Sequence, residues 1–312
     1  MDHLLYLVAR MLIGLLQSLP LTWVARLGRY GGSVVHMFDR RHRRVARENL
    51  RRCFGREMSA AALLRIEREN FRRIGENFAC AVKTASMTDE QIKARLEWSG
   101  MIQAEDIRDR ADGRGILVAI GHFGNFELYA RVQLFLEGFH PATTYRGLHQ
   151  PALDRLLQAL REKSGCLYFE RRADGEALRE ALNTRPLILG LLVDQHAGDR
   201  GLPARFFGQE CSTSAAPGVY AWRYQLPLFT AVCYRIGLGR WRIELGSEIP
   251  TRINGVPRAA VAIAEDINRA FEVAIRRDPA NWFWVHRRWK PVQRRMGRAP
   301  NSEGRLPATP SS

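Results

Sequence analysis

The sequence predicts an α/β fold: a mixed, largely parallel sheet flanked by helices, preceded by an N-terminal apolar helix. Three observations carry the prediction. Short apolar runs recur at residues 116–120, 166–169 and 187–193, and a β-prone run ending in a charge lies at 142–146; runs of that length read as strands, the apolar ones buried in a parallel sheet. Amphipathic stretches with three-to-four spacing alternate with them. The runs also exit into His122, Arg146, Arg172 and Asp194 in turn, and polar strand exits of one sheet converge along the edge where α/β sites gather.

Taken in order, residues 4–16 are apolar, are interrupted by Arg10, and are closed by Gln17, Ser18 and Pro20. The run falls short of the roughly 20 residues that span a bilayer. An interfacial or shallowly inserted anchor fits, with Trp23 and Arg26 at the headgroups; the alternative is a buried core helix. Residues 40–52 are dense in arginine, from Arg40 to Arg52, which reads as contact with anionic headgroups or as a solvated helix face. Residues 59–83 form an amphipathic helix with Ser59 as N-cap, and residues 89–98 a short helix capped by Thr88. After the strand at 116–120, the pattern turns helical from Phe126, with Asn125 as N-cap. Residues 151–163 make a helix with Pro151 in its first turn, and residues 175–182 and 215–224 two more. Residues 227–234 and 241–245 read as an antiparallel pair joined through Gly237 and Gly239. Residues 257–276 form a long amphipathic helix. Residues 281–290 combine aromatics with cations, a composition that suits a membrane interface. Residues 294–312, rich in Arg, Pro, Ser and Gly, read as disordered.

The 312 residues are 46% hydrophobic, enough for one large core or two small ones. A net charge of +16 seeks polyanions: nucleic acid, anionic lipid or an acidic carrier protein. No fingered, RRM or helix-turn-helix pattern accompanies it, so nucleic acid is not an expected partner. Five scattered cysteines show no C-x-x-C pair and no zinc spacing, as expected of small apolar fillers in a reducing compartment. There is no Gly-rich phosphate loop and no G-x-S-x-G, which argues against a serine hydrolase. No metal or cofactor is called for.

The chemistry centres on His122. It precedes the helix, in a turn loosened by Gly121 and Gly124, so the chain can fold back and bring Glu127 within reach. A carboxylate at one ring nitrogen fixes the tautomer and leaves the other as a base, able to take a proton from an attacking alcohol. The plain alternative is a capping histidine and a surface glutamate.

His122-Phe-Gly-Asn-Phe-Glu127 resembles the H-x4-D/E motif of lysophospholipid acyltransferases. Its wider context is similar to the branch that acylates lipid A precursors (lauroyl and myristoyl transferases), with relatives that acylate phosphatidylinositol mannosides. Further blocks agree in order: Asn49-Leu50, Tyr145-Arg146, Arg172, Asp194-Gln195, Arg205-Phe-Phe-Gly208 with Thr213, and the closing Trp284-Val-His286-Arg-Arg-Trp-Lys290. The resemblance covers roughly residues 4–290. It implies a membrane anchor over residues 1–30 and an acyltransferase domain over 31–293; the tail over 294–312, disordered by its composition, lies outside it. It implies transfer of a fatty acyl chain from acyl carrier protein, or acyl-CoA, to a hydroxyl of a lipid A precursor or related glycolipid, at the cytoplasmic face of a bacterial inner membrane. His122 is then the general base and Glu127 its orienting acid, with Arg146, Arg172, Asp194 and Gln195 as substrate-binding residues and His286 structural. The rival readings are acylation of another lysolipid or of a phosphatidylinositol mannoside, a non-catalytic membrane lipid-binding protein, and charge-driven nucleic-acid binding.

Overall fold

A computed structural model of the chain describes residues 2–100, 107, 111–148 and 150–292, with the side chains of residues 2–4 left aside. The tail expected at 294–312 lies outside the described residues.

Four helices come first: α1 (Asp2–Ser18), α2 (Leu21–Phe38), α3 (Arg40–Phe54) and α4 (Ala60–Thr84). Helix α2 runs through residue 30, where the sequence reading sets a boundary. Ser59 caps α4 as expected, its hydroxyl accepting from the Ala62 N–H. Helices α2 and α4 lie backbone to backbone. A methyl on Gly75 would meet the Gly28 carbonyl oxygen at 2.2 Å, and one on Gly32 the Phe71 carbonyl oxygen at 2.2 Å. The inner face of α2 (Leu21, Val24, Ala25, Gly28, Gly32) is buried, and its outer residues Trp23, Leu27, Tyr30 and Phe38 are exposed.

The short α5 (Asp89–Lys93) has the capping box expected at Thr88 but ends at Lys93. The rest of the helix read at 89–98 is instead strand β1 (Leu96–Gly100), which pairs with a strand late in the chain, β9 (Arg240–Leu245). Edge pairing overrides the weak helical pattern here, and Glu97 is held by Arg240 and Arg242 of β9. Then follow β2 (Gly115–Ile120), β3 (His140–Tyr145), α6 (Pro151–Glu162), β4 (Leu167–Glu170), α7 (Gly175–Thr184) and β5 (Leu187–Leu192). An antiparallel hairpin, β6 (Leu202–Phe206) and β7 (Gln209–Thr213), precedes α8 (Ala216–Tyr224). The expected antiparallel pair is β8 (Leu228–Gly237) and β9 (Arg240–Leu245), and the long amphipathic helix is α9 (Ala260–Arg277).

The main sheet has the order β1-β9-β8-β2-β5-β3-β4. Strands β8, β2, β5, β3 and β4 are mutually parallel, and β9 and β1 run opposite to them at one edge. Alternation along β2 splits the core. Leu117 and Ala119 face one layer with Phe271, Trp282 and Trp284, while Ile116, Val118 and Ile120 face the other with Ile188, Ile243 and Leu245. The chain from Phe126 is a 3-10 helix (Phe126–Leu134), not an α-helix, and the Asn125 side chain makes no cap hydrogen bond. The Tyr129 hydroxyl pins this segment to β8, donating to the Ala231 carbonyl and accepting from the Cys233 N–H.

The aromatic segment 281–290 is not a membrane interface. Trp282, Trp284 and Trp289 are buried, because Asn49 of α3 and Asn70 of α4 donate to the carbonyls of residues 280, 282, 284 and 286 and staple the segment to the core.

Gly75→Ala is expected to destabilise the protein by about 1–3 kcal/mol through overpacking. Gly31→Ala, where nothing lies within 4 Å, should be neutral or stabilise by about 0.5–1 kcal/mol as a helix-interior glycine. Urea unfolding of the two variants checks both.

Candidate active site

Strands β2 and β5 are neighbours, and their register pairs Ile120 with Leu192. Two residues past each strand end, His122 and Asp194 therefore stand side by side. His122 Nδ1 lies 2.8 Å from Asp194 Oδ1, and the His122 backbone N–H donates to Oδ2 at 2.8 Å. The Trp282 indole N–H donates to the same Oδ2 at 2.8 Å. Asp194 is 1% exposed. Burial on its own would raise the carboxyl's pKa; the His122 imidazole and these hydrogen bonds outweigh it and hold the group below the usual carboxylate range. An acid at Nδ1 leaves Nε2 as the basic nitrogen, and Nε2 has no hydrogen-bond partner among the described residues.

The sequence reading puts Glu127 at that ring nitrogen. The structure puts Asp194 there instead. Glu127 accepts two hydrogen bonds from Arg161 of α6, at 2.7 and 3.2 Å. A bidentate arginine fork takes up the carboxylate that the motif seemed to reserve for histidine. Burial opposes the Arg161 charge, but the Glu127 carboxylate more than offsets this and raises the guanidinium pKa. Arg161 also lies over the rings of Tyr145 and Tyr168.

The turn is held by close backbone contacts. Gly124 has φ +52°, and a methyl there would meet the Cys233 carbonyl oxygen at 2.4 Å, so only glycine suits the position. Its N–H donates to the Asn281 carbonyl. Phe126 packs edge-on against the His122 ring at 4.8 Å, and Phe283 lies tilted beside it at 5.9 Å.

His122 and Glu127 line a cavity of about 690 Å³. From His122 it runs over the sheet face carrying Ile116, Val118 and Ile120, under Leu128 and Val132, and reaches Trp98 on β1. Polar and cationic residues line it too: Arg146, Arg161, Arg171, Gln195 and His196. Of the expected substrate-binding residues, Arg146 and Gln195 thus border the cavity, and Asp194 lies behind His122. Arg172 is not among the lining residues. Its neighbour Arg171 is, with its Nε on the Thr144 hydroxyl. The bend after β4 directs Arg172 elsewhere: its backbone N–H donates to the Glu170 carboxylate.

Three contributors escape the sequence reading. Arg161 looks like an ordinary polar position among leucines. Trp282 looks like part of an aromatic belt. Arg288, fully buried, has a guanidinium that donates to the Ser212 carbonyl, to the Gln195 carbonyl at 3.3 Å and to the Thr213 hydroxyl at 2.7 Å. It thereby fixes the chain just after Asp194. The only signal for the last two is their place in the closing block 284–290 or beside it.

His286 is structural in this geometry. Its Nε2 accepts from the His196 backbone N–H at 2.9 Å, and burial lowers its pKa to about 4.

A buried carboxylate thus braces a histidine at the carboxyl edge of the parallel sheet of an α/β protein, beside a largely apolar cavity. The chain belongs to the bacterial lipid A biosynthesis acyltransferase family, which it matches over residues 2–291, and it is an acyltransferase. It is 24% identical over 285 residues to the lipid A biosynthesis palmitoleoyltransferase of Escherichia coli (strain K12), covering 88% of this chain and 87% of that one. It is 27% identical over 282 residues to the lipid A biosynthesis lauroyltransferase of the same organism, covering 88% of each.

A histidine whose pKa falls on folding leaves the unfolded chain with the extra proton, so stability drops as pH falls. For His286 the loss is expected between its ordinary 6.5 and about 4, with full stability above 6.5. His286→Gln keeps an acceptor for the His196 N–H but does not titrate, and should flatten that part of the curve in urea unfolding at stepped pH.

Proposed function

We propose that this acyltransferase moves a fatty acyl chain from a thioester on acyl carrier protein, or from acyl-CoA, to a hydroxyl of a lipid A precursor or related glycolipid. The observation that carries the reading is the His122–Asp194 pair, whose histidine lines the largely apolar cavity. His122 Nε2 takes the proton of the acceptor hydroxyl as its oxygen attacks the thioester carbonyl. The carbon–sulfur bond then breaks, and the imidazolium returns the proton to the departing thiolate. Asp194 holds the ring in the required tautomer and stabilises the imidazolium. The chain of the acyl group lies along Ile116, Val118 and Ile120, each buried methylene contributing about 0.8 kcal/mol. Arg146 and Arg171 suit anionic groups on the acceptor. Glu127 and Arg161 form the wall between the two regions and fix its shape.

The same reading places the protein at the cytoplasmic face of a bacterial inner membrane. Met11, Leu12, Leu15, Trp23, Tyr30 and Phe38 form exposed apolar surface on α1 and α2. No helix among the described residues is long and apolar enough to cross a membrane, so these helices lie in the interface as an anchor.

His122→Ala should lower acyl transfer by about 10²–10⁴-fold, the usual contribution of a positioned base, and Asp194→Asn by a comparable factor. Glu127→Gln should act mainly on KM. The assay uses thioester and lysolipid acceptor in detergent, with circular dichroism to verify folding. Full activity in Asp194→Asn, or a loss of kcat in Glu127→Gln as deep as in His122→Ala, would return the orienting role to Glu127.

A further inference from the structure

Helix α3 carries an arginine face that the site described above does not use. Arg40, Arg44, Arg47 and Arg51 follow one another at spacings of four, three and four. At 100° per residue they fall within one narrow stripe, about 16 Å long at 1.5 Å per residue. With Arg43 and Glu48 they enclose a groove of about 370 Å³. Arg47 is occupied by a bidentate pair with the buried Glu67, and Arg43 donates to the carbonyls of His36 and Met37. The side chains of Arg40, Arg44 and Arg51 have no hydrogen-bond or ion-pair partner among the described residues and are exposed.

Two features decide what such a face fits. Every apolar residue of α3 is turned inward: Val45, Ala46, Leu50, Cys53 and Phe54 are all buried. Basic helices that lie in a bilayer carry apolar side chains beside the cations, as α1 and α2 do here and α3 does not. The face is also linear, a row of cations at helical spacing that suits a row of carboxylates. Glu67, which Arg47 grips, lies on α4 eleven residues, about 16 Å along the helix axis, before Phe78, which lines the catalytic cavity, so α4 joins the arginine face to that cavity.

We propose that the α3 arginine face is the docking surface for the acidic helical carrier protein that delivers the acyl thioester. The inference rests on the acyl-transfer reading and adds to it the place where the donor's protein binds. Arg40, Arg44 and Arg51 supply the attraction; electrostatic complementarity of this kind speeds and orients encounter, and weakens with salt.

The test is the triple variant Arg40→Gln, Arg44→Gln, Arg51→Gln, which keeps good helix formers at exposed positions. Acyl carrier protein bearing a fatty acyl group is compared with acyl-CoA as donor, and carrier binding is measured directly by titration. The expected result is a KM for the carrier-borne donor raised about tenfold or more, with kcat unchanged. Carrier binding should weaken to match, the salt dependence of kcat/KM should flatten, and any turnover of acyl-CoA should stay within about twofold of wild type. Carrier binding and KM equal to wild type overturn the proposal. If such a variant also loses binding to phosphatidylglycerol vesicles, the face belongs to the lipid surface. A wild type that turns over neither donor sinks the acyl-transfer reading instead, while the binding titration still decides the docking surface.

Discussion

The hydrogen bond between His122 and Asp194 is possible only because β2 and β5 are adjacent and in matching register. A one-residue slip would turn each side chain to the other face of the sheet. The two strands are apolar on both faces, so each register position is specified twice, once by each core layer. The chemistry therefore depends on the packing of Leu117, Ala119, Leu189 and Leu191 below the sheet as much as on the polar residues above it. The N–H groups of His122 and Trp282 then satisfy a carboxylate that burial would otherwise neutralise.

Much of this was legible in the residues. The apolar runs located β2 and β5 to within a residue or two, since strands buried on both faces have a simple signature, and β-branched and aromatic residues marked the less buried β3 and β4. Ser59 and Thr88 marked their helix starts because capping is local chemistry. Asp194 was visible as an acid at a strand end, but its contact with His122 was not. Which strand lies beside β2 is a matter of sheet order, and nothing near position 122 encodes that β5 inserts between β2 and β3. Glu127, five residues away in sequence, is the nearer candidate only in one dimension.

The other misreadings share that cause. Leu96-Glu-Trp98 has too few residues to declare itself a strand, and β9 supplies the missing hydrogen bonds. Trp282, Trp284 and Trp289 have the composition of an interfacial belt; Asn49 and Asn70, more than two hundred residues earlier, pull them inward. Arg171 and Arg172 are equivalent in sequence, and only the bend after β4 tells them apart.

The segment from Pro279 to Trp289 comes late in the chain, yet Trp282 holds Asp194, Asn281 holds the turn at Gly124, and Arg288 holds Gln195. During synthesis, then, the sheet that carries His122 and Asp194 leaves the ribosome before the segment that holds them. A chain that stops short of Pro279 keeps both side chains but lacks the indole N–H on the Asp194 carboxylate and the carbonyl that fixes the turn at Gly124.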